Sequence, residues 1–358
     1  MKLGLLVTTP ISTCKNIGDY IQSLAAKQFL KGEYCYVEKE EVSHFESVEP
    51  VKVIMNAWYM WHPENWPPQP CIKPLLTSMH ISHLTANEMF ENGGKEYLIE
   101  HGPVGCRDLD TKKILDDAGI PNYFSGCLTL TLGKTYNYEG RRSGIFFVDP
   151  YIPALRYVVN GKSIFYPKNA LKALWYYLNN IGKVNRLVRE KVFFKSRLKL
   201  VTYYNAAMFY KAYSTLFEDE VLFSAEYLSH MVPASKDDAQ ETLLNKAESL
   251  IRKYAQAQLV VTSRIHCGLP CLGLETPVLF VMDKTMESDK NMFNAPGRFG
   301  GLIDLFHILK YSHDKLLWND MKLYNKDKIK QSVQFQNKPG WRLYKDQLIN
   351  LCCRFLSE

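Results

Sequence analysis

The residues best suited to chemistry lie in Val260–Pro270, VVTSRIHCGLP. A strongly apolar run ends at Ser263, a good N-cap residue. The next residues open a helix, whose first backbone N–H groups lack intrahelical partners. Such an end attracts anions. Arg264 adds a planar fork able to pair bidentately with a carboxylate or phosphate, and His266 is the side chain suited to exchange a proton near neutral pH. In the plainer reading Arg264 makes a structural ion pair and His266 a buried hydrogen bond. Spacing alone does not separate the two.

A second constellation is Asn16-Ile17-Gly18-Asp19-Tyr20-Ile21-Gln22, which joins the first strand-like run to the first helical one. Gly18 permits close approach of a ligand to the backbone. Asp19 and Gln22 have capping-box spacing, a sufficient structural reason for both, although a carboxylate there also serves as a base or hydroxyl acceptor. Asn56, Trp58, Trp61, Trp66, Pro67 and Pro68 make a polar and aromatic loop whose rings could stack on a sugar or pack on the prolines. Arg107 ends another strand, beside Asp108 and Asp110, its simplest partners. His80, His83 and His230 are single histidines, each more simply structural than catalytic.

These residues need elements to hold them. Strand-like runs at Leu3–Thr8, Val51–Asn56, Gly102–Cys106, Pro121–Phe124, Gly144–Val148, Val221–Ser224, Leu259–Thr262 and Val278–Met282 alternate with helical ones, among them Tyr20–Leu30, Thr111–Ala118 and Asp237–Gln258. The alternation predicts an α/β fold of parallel sheets covered by helices, built twice, with a boundary near Arg141-Arg142. Ligands of such sheets bind beyond the carboxyl ends of the strands.

Several chemistries find no support. Gly133-Lys134-Thr135 and Gly161-Lys162-Ser163 lack the upstream glycine of a phosphate loop, because Leu128 and Arg156 stand there. There is no dinucleotide fingerprint, HExxH or GxSxG. Asp108-Leu109-Asp110 reads as acids at a helix start rather than a metal-binding triplet, and His62, His80 and His83 lack zinc-site spacing, so no metal is expected. The nine cysteines form no regular framework. They read as reduced thiols of a cytoplasmic protein.

Charge is local. The net charge is +7, yet residues 168–199 alone hold nine Lys or Arg against Glu190. With apolar residues at helical spacing, this segment predicts two basic amphipathic helices. They form either a solvated face over a packed stripe or a contact for anionic lipid headgroups or a polyanionic substrate. No nucleic-acid motif accompanies the charge, and no nucleic-acid partner is expected.

Taken together, NIGDYIQ (16–22), Asn56–Pro68 with Pro74–His80, GCRDLDTKKILDDAG (105–119), Ser125-Gly126 and above all VTSRIHCGLPCLGLETP (261–277) resemble the polysaccharide pyruvyl transferase family. The resemblance implies a GT-B-like fold: two Rossmann-like domains facing a cleft. An acceptor-side domain would span 1–142 and a donor domain 143–310, with a C-terminal helical segment, 311–358, crossing back to the first. It also implies transfer of the enolpyruvyl group of phosphoenolpyruvate onto two hydroxyls of a galactose- or N-acetylmannosamine-type hexose in a surface-polysaccharide precursor, releasing phosphate. Ser263, Arg264 and His266, with Arg298 as a second phosphate ligand, would hold phosphoenolpyruvate. Asn16, Gly18, Asp19, Asn56, Trp66, His80 and Arg107 would face the acceptor, and His266 and Asp19 would exchange protons. No cofactor is implied beyond the co-substrate. A polyprenyl-diphosphate-linked or other glycan acceptor would give the basic segment a place at the inner membrane leaflet. The competing readings are a nucleotide-sugar glycosyltransferase of the same architecture and a non-catalytic glycan-binding protein.

Overall fold

The computed structural model describes residues 1–9, 14–59, 61–159, 162–235, 238–283, 299–319 and 327–358. The chain starts with β1 (Lys2–Val7), whose Leu5, Leu6 and Val7 are buried, then β2 (Cys14–Asn16) and α1 (Gly18–Lys27). β3 (Tyr34–Glu38), β4 (Val51–Ile54) and β5 (Ile72–Leu75) complete a parallel sheet in the order β3-β1-β4-β5. β6 (Val104–Cys106) lies outside it and leads into α2 (Leu109–Asp117).

The second sheet starts with β7 (Ile145–Val148). Three basic or aromatic helices follow: α3 (Pro167–Asn179), α4 (Ile181–Glu190) and α5 (Lys199–Tyr213). Then come β8 (Glu226–Leu228), β9 (Met231–Pro233), α6 (Gln240–Gln256), β10 (Leu259–Thr262), α7 (Ile265–Gly273), β11 (Val278–Asp283), β12 (His307–Ser312), β13 (Lys315–Trp318) and α8 (Trp341–Ser357). The strand order is β8-β7-β10-β11-β12-β13, parallel except for the β12–β13 hairpin at one edge. β10 is buried throughout, as a central parallel strand covered on both faces must be.

The mixed α/β class with parallel sheets is as expected; some elements are not. Val221–Ser224 is not a strand but part of a helix, Asp219–Ser224, with two acids in its first turn. Its Val221, Leu222 and Phe223 are all buried, so three consecutive apolar residues imitated a strand; the strand is the neighbouring β8. α6 begins at Gln240, and Asp237 falls outside the described residues. Residues 311–318 finish the β12–β13 hairpin rather than opening a helical segment. α8 packs on the turn Leu128–Thr131, the Phe355 carbonyl accepts from Lys52 at 2.8 Å, and Tyr344 meets Phe124 edge-on.

One apolar cluster joins α1 (Ile21, Leu24) to α6 (Leu244, Ile251) and α7 (Leu269, Leu272). Burying such a side chain contributes about 1.5–3 kcal/mol relative to leaving it exposed. The turn at Leu130 also reaches α7 closely: a Cβ on Gly273 would lie 2.3 Å from the Leu130 carbonyl oxygen, so only glycine fits. A short antiparallel ladder, β2 with β9, adds Ile17 N–H donating to the His230 carbonyl at 2.8 Å. It sets Asn16 and α1 beside the carboxyl end of β8.

Candidate functional site

A cavity of about 420 Å³ opens where these strand ends meet. From the first half it is lined by Asn16, Asp19, Trp58, His80 and Arg107, and from the second by Asp149, His230, Ser263, Arg264 and His266, among others. The sequence-predicted residues therefore converge from both halves, with exceptions given below.

Arg264, not Ser263, occupies the N-cap position of α7. Its N–H donates to Thr262 Oγ1 at 3.0 Å, and Ser263 stands one residue before the cap. The Ser263 hydroxyl is buried, lines the cavity and has no hydrogen-bond partner among the described residues. A buried hydroxyl left so costs about 1–3 kcal/mol, a cost that a bound ligand can relieve. Arg264 does make the ion pair of the plainer reading, its Nε 3.0 Å from Asp149 Oδ2, but its side chain stays 42% exposed at the cavity wall. The two readings are compatible.

Asp149 carries the second-half wall. It follows β7 directly, adopts φ +40°, and takes the His230 N–H and Arg264 Nε on the same oxygen, each at 3.0 Å. A non-glycine residue in that region costs on the order of 1 kcal/mol, offset here by two bonds to a charged acceptor. His230, also buried, bonds Tyr254 Oη at 2.9 Å through Nε2. Beneath it, Cys267 is fully buried. Burial pushes its thiol up, but hydrogen bonds from Cys271 and His230, the His230 charge and Thr262 outweigh it and bring it down to about 6. Tyr254 and Cys271 are pushed up by burial and by the neighbouring Cys267.

On the opposite wall, Asp19 is not a cap. The N-cap of α1 is Ile17, without a side-chain bond, and Asp19 pairs instead with Lys15 Nζ at 3.2 Å. Gly18 lies against His266: a Cβ there would meet His266 Cβ and Nδ1 at 3.3 Å and Asn16 Oδ1 at 3.1 Å. Gly18 thus lets the helix start and the imidazole share one space. His80 Nδ1 bonds Asp108, and its ring meets Trp58 edge-on at 5.3 Å. Asp108 caps α2 by accepting the Thr111 N–H at 3.0 Å, as acids at a helix start do, and also takes Arg107 Nε. Burial pushes the Asp108 carboxyl up, but His80, Arg107 and the Thr111 amide together hold it below the usual range.

Two proposed site residues are not brought in. Asn56 is buried and donates to the Gln22 carbonyl at 2.9 Å, so it fastens β4 to α1 rather than facing the cavity. Trp66 is packed between Tyr59 and Tyr97, edge-on at 4.9 and 6.0 Å, because an indole beside two prolines finds apolar neighbours before solvent. Arg298 lies outside the described residues. Among the described residues no three potential ligand side chains gather as a metal site.

A family model for polysaccharide pyruvyl transferases matches residues 77–284, more than half of the chain. The chain belongs to that family. Comparisons with curated proteins and with solved structures give no match. The stretch matching the pyruvyl transferase model carries His80, Arg107, Asp149, His230, Ser263, Arg264 and His266, whereas Asn16 and Asp19 precede it. Family membership makes the chain a transferase of polysaccharide biosynthesis, which does not favour the glycosyltransferase and glycan-binding readings.

Proposed function

We propose that the protein transfers the enolpyruvyl group of phosphoenolpyruvate onto two hydroxyls of a hexose in a surface-polysaccharide precursor, forming a pyruvate ketal. The observation that carries this reading is the meeting of the α7 start, with Ser263, Arg264 and His266, and the Asn16–Asp19 turn at one cavity. Phosphoenolpyruvate bears a carboxylate and a phosphate on one small frame. A helix N-terminus, an unpaired hydroxyl and a guanidinium suit both groups.

In this mechanism His266 donates a proton to the methylene carbon, which becomes a methyl group and leaves the central carbon electrophilic. A sugar hydroxyl, its proton taken by Asp19, attacks that carbon. The C–O bond to phosphate breaks, and inorganic phosphate leaves with both bond electrons. The second hydroxyl then adds, losing its proton and closing the ketal. His80 and Arg107 line the acceptor side, and the two lobes of a GT-B-like fold would carry donor and acceptor respectively. The transferred group arrives activated, so the reading asks for no further cofactor.

The test incubates the protein with phosphoenolpyruvate and a panel of galactose- and N-acetylmannosamine-ended acceptors. Equal release of phosphate and of ketal-bearing glycan is expected. Nucleotide release from a sugar nucleotide, independent of phosphoenolpyruvate, would overturn it.

A further inference from the structure

α3 packs inward through Ala173, the only one of its side chains fully buried, and through Tyr176 and Tyr177, which reach Ser214 and Tyr203 near α5. Its apolar stripe faces the other way. Leu171, Leu174, Trp175 and Leu178, at the i, i+3, i+4, i+7 spacing of one helix face, are 67, 54, 65 and 61% exposed. Ile181, Val192, Leu198 and Leu200 extend the exposed apolar surface along the following segment. This departs from a solvated face over a packed stripe: α4 buries Val184 and Leu187, whereas α3 turns its leucines out.

We propose that this surface, α3 together with residues 181–200, docks on an anionic lipid bilayer, with the stripe inserted among the acyl chains and the basic residues on the headgroups. Charge complementarity selects that occupant. Lys172, Lys183, Arg186 and Arg189 are engaged by Asp314, Asp219 and Glu190, but Lys168, Lys195, Arg197 and Lys199 are exposed and make no ion pair among the described residues. A symmetric pair of copies would bring two such basic rims together and repel. An anionic surface attracts them, at about 1 kcal/mol per basic residue near the headgroups. A tryptophan in a leucine face bordered by lysines suits the membrane interface. The surface is also continuous with the cavity: Phe193 and Phe194 line it, between exposed Val192 and Lys195. Docking would bring the rim of the site to the bilayer. No described helix is long and apolar enough to cross a membrane.

The proposal does not depend on what the site transfers, and its test uses no substrate. The full chain is sedimented with phosphatidylcholine vesicles, with and without phosphatidylglycerol. Binding to the anionic vesicles is expected, weakened but not abolished by salt. Leu171→Gln with Trp175→Gln, and separately Lys195→Gln with Arg197→Gln and Lys199→Gln, should each lower the partition coefficient about tenfold or more while the thermal midpoint stays put. Acyl chains labelled with bromine should quench wild-type fluorescence, and Trp175→Phe should lose that response. Failure of the wild type to bind, or binding indifferent to the Leu171/Trp175 change, overturns the proposal. So does lipid-free dimerisation that the same change abolishes.

Discussion

His80 Nδ1 lies 2.6 Å from Asp108 Oδ2, and Arg107 Nε meets the same oxygen at 3.2 Å. All three side chains are buried, and those of His80 and Arg107 line the cavity. The carboxylate fixes the ring of His80 by holding the proton on Nδ1. It also counters the charge that Arg107 would otherwise bury alone. Asp108→Asn keeps the size but removes the charge, and breaking a buried pair by one partner costs about 3–5 kcal/mol. The expected result is a lower urea midpoint at unchanged slope, with loss of stability on the order of 3 kcal/mol. An unchanged midpoint would refute the account of Asp108 as the shared anion.

Gly18 offers a test in which stability and activity separate. Alanine adds helix propensity in the first turn of α1, up to about 1 kcal/mol, so the folded state should be as stable or slightly more so. Yet the new methyl would press on His266 at 3.3 Å and on Asn16 Oδ1 at 3.1 Å, tighter than ordinary contact. Displacing a proton donor by a few tenths of an ångström is expected to cut kcat about tenfold. Scanning calorimetry and phosphate-release kinetics on Gly18→Ala read the two effects separately. A raised midpoint with full kcat would remove His266 from the reacting centre.

How far this site could be read in the sequence follows from where its parts lie along the chain. Ser263–His266 and Asn16–Asp19 are local strand-to-helix turns, visible as such. Asp149 is not, because a single acid after a strand carries no pattern and its partners, His230 and Arg264, are 81 and 115 residues away. Only the rule that ligands gather at strand ends could have singled it out. Periodicity likewise grouped Leu171, Leu174, Trp175 and Leu178 on one face without saying which way it points. That direction was decided by Tyr176 and Tyr177, which found aromatic and hydroxyl partners near α5. Ser263 has the residue type of a cap, but α7 starts one residue later, with Arg264 at the N-cap.

Arg264 distinguishes charge from shape. Arg264→Ala removes charge-assisted hydrogen bonds worth about 1.5–3 kcal/mol, so KM for phosphoenolpyruvate should rise about 10- to 100-fold. Arg264→Lys keeps the charge but loses the planar fork and the Nε bond to Asp149, and should fall between. Because the side chain is 42% exposed, neither change should shift the thermal midpoint greatly. Steady-state kinetics with varied phosphoenolpyruvate decide it. A wild-type KM in the alanine variant would move the donor elsewhere.

Asp314 gives a pH dependence with a definite sign. It sits at the β12–β13 turn with φ +62° and bonds Lys172 of α3 and Lys211 of α5, each at 2.9 Å. Burial pushes its carboxyl up, but hydrogen bonds from Lys211, Lys172 and Tyr311 outweigh this and bring it down to about 2. An unfolded chain would restore it to about 3.9. The folded value is the lower, so the stabilisation is complete above about pH 4 and is lost as pH falls towards about 2. Lys172 is half exposed, so solvent screening limits the gain to about 1 kcal/mol. Unfolding free energies of the wild type and Asp314→Asn should therefore differ by about that amount at neutral pH and converge at the acid end. Since Asp314 ties α3 to the second sheet, a constant gap down to pH 2 would mean that it does so without its charge, and would overturn the ion-pair account.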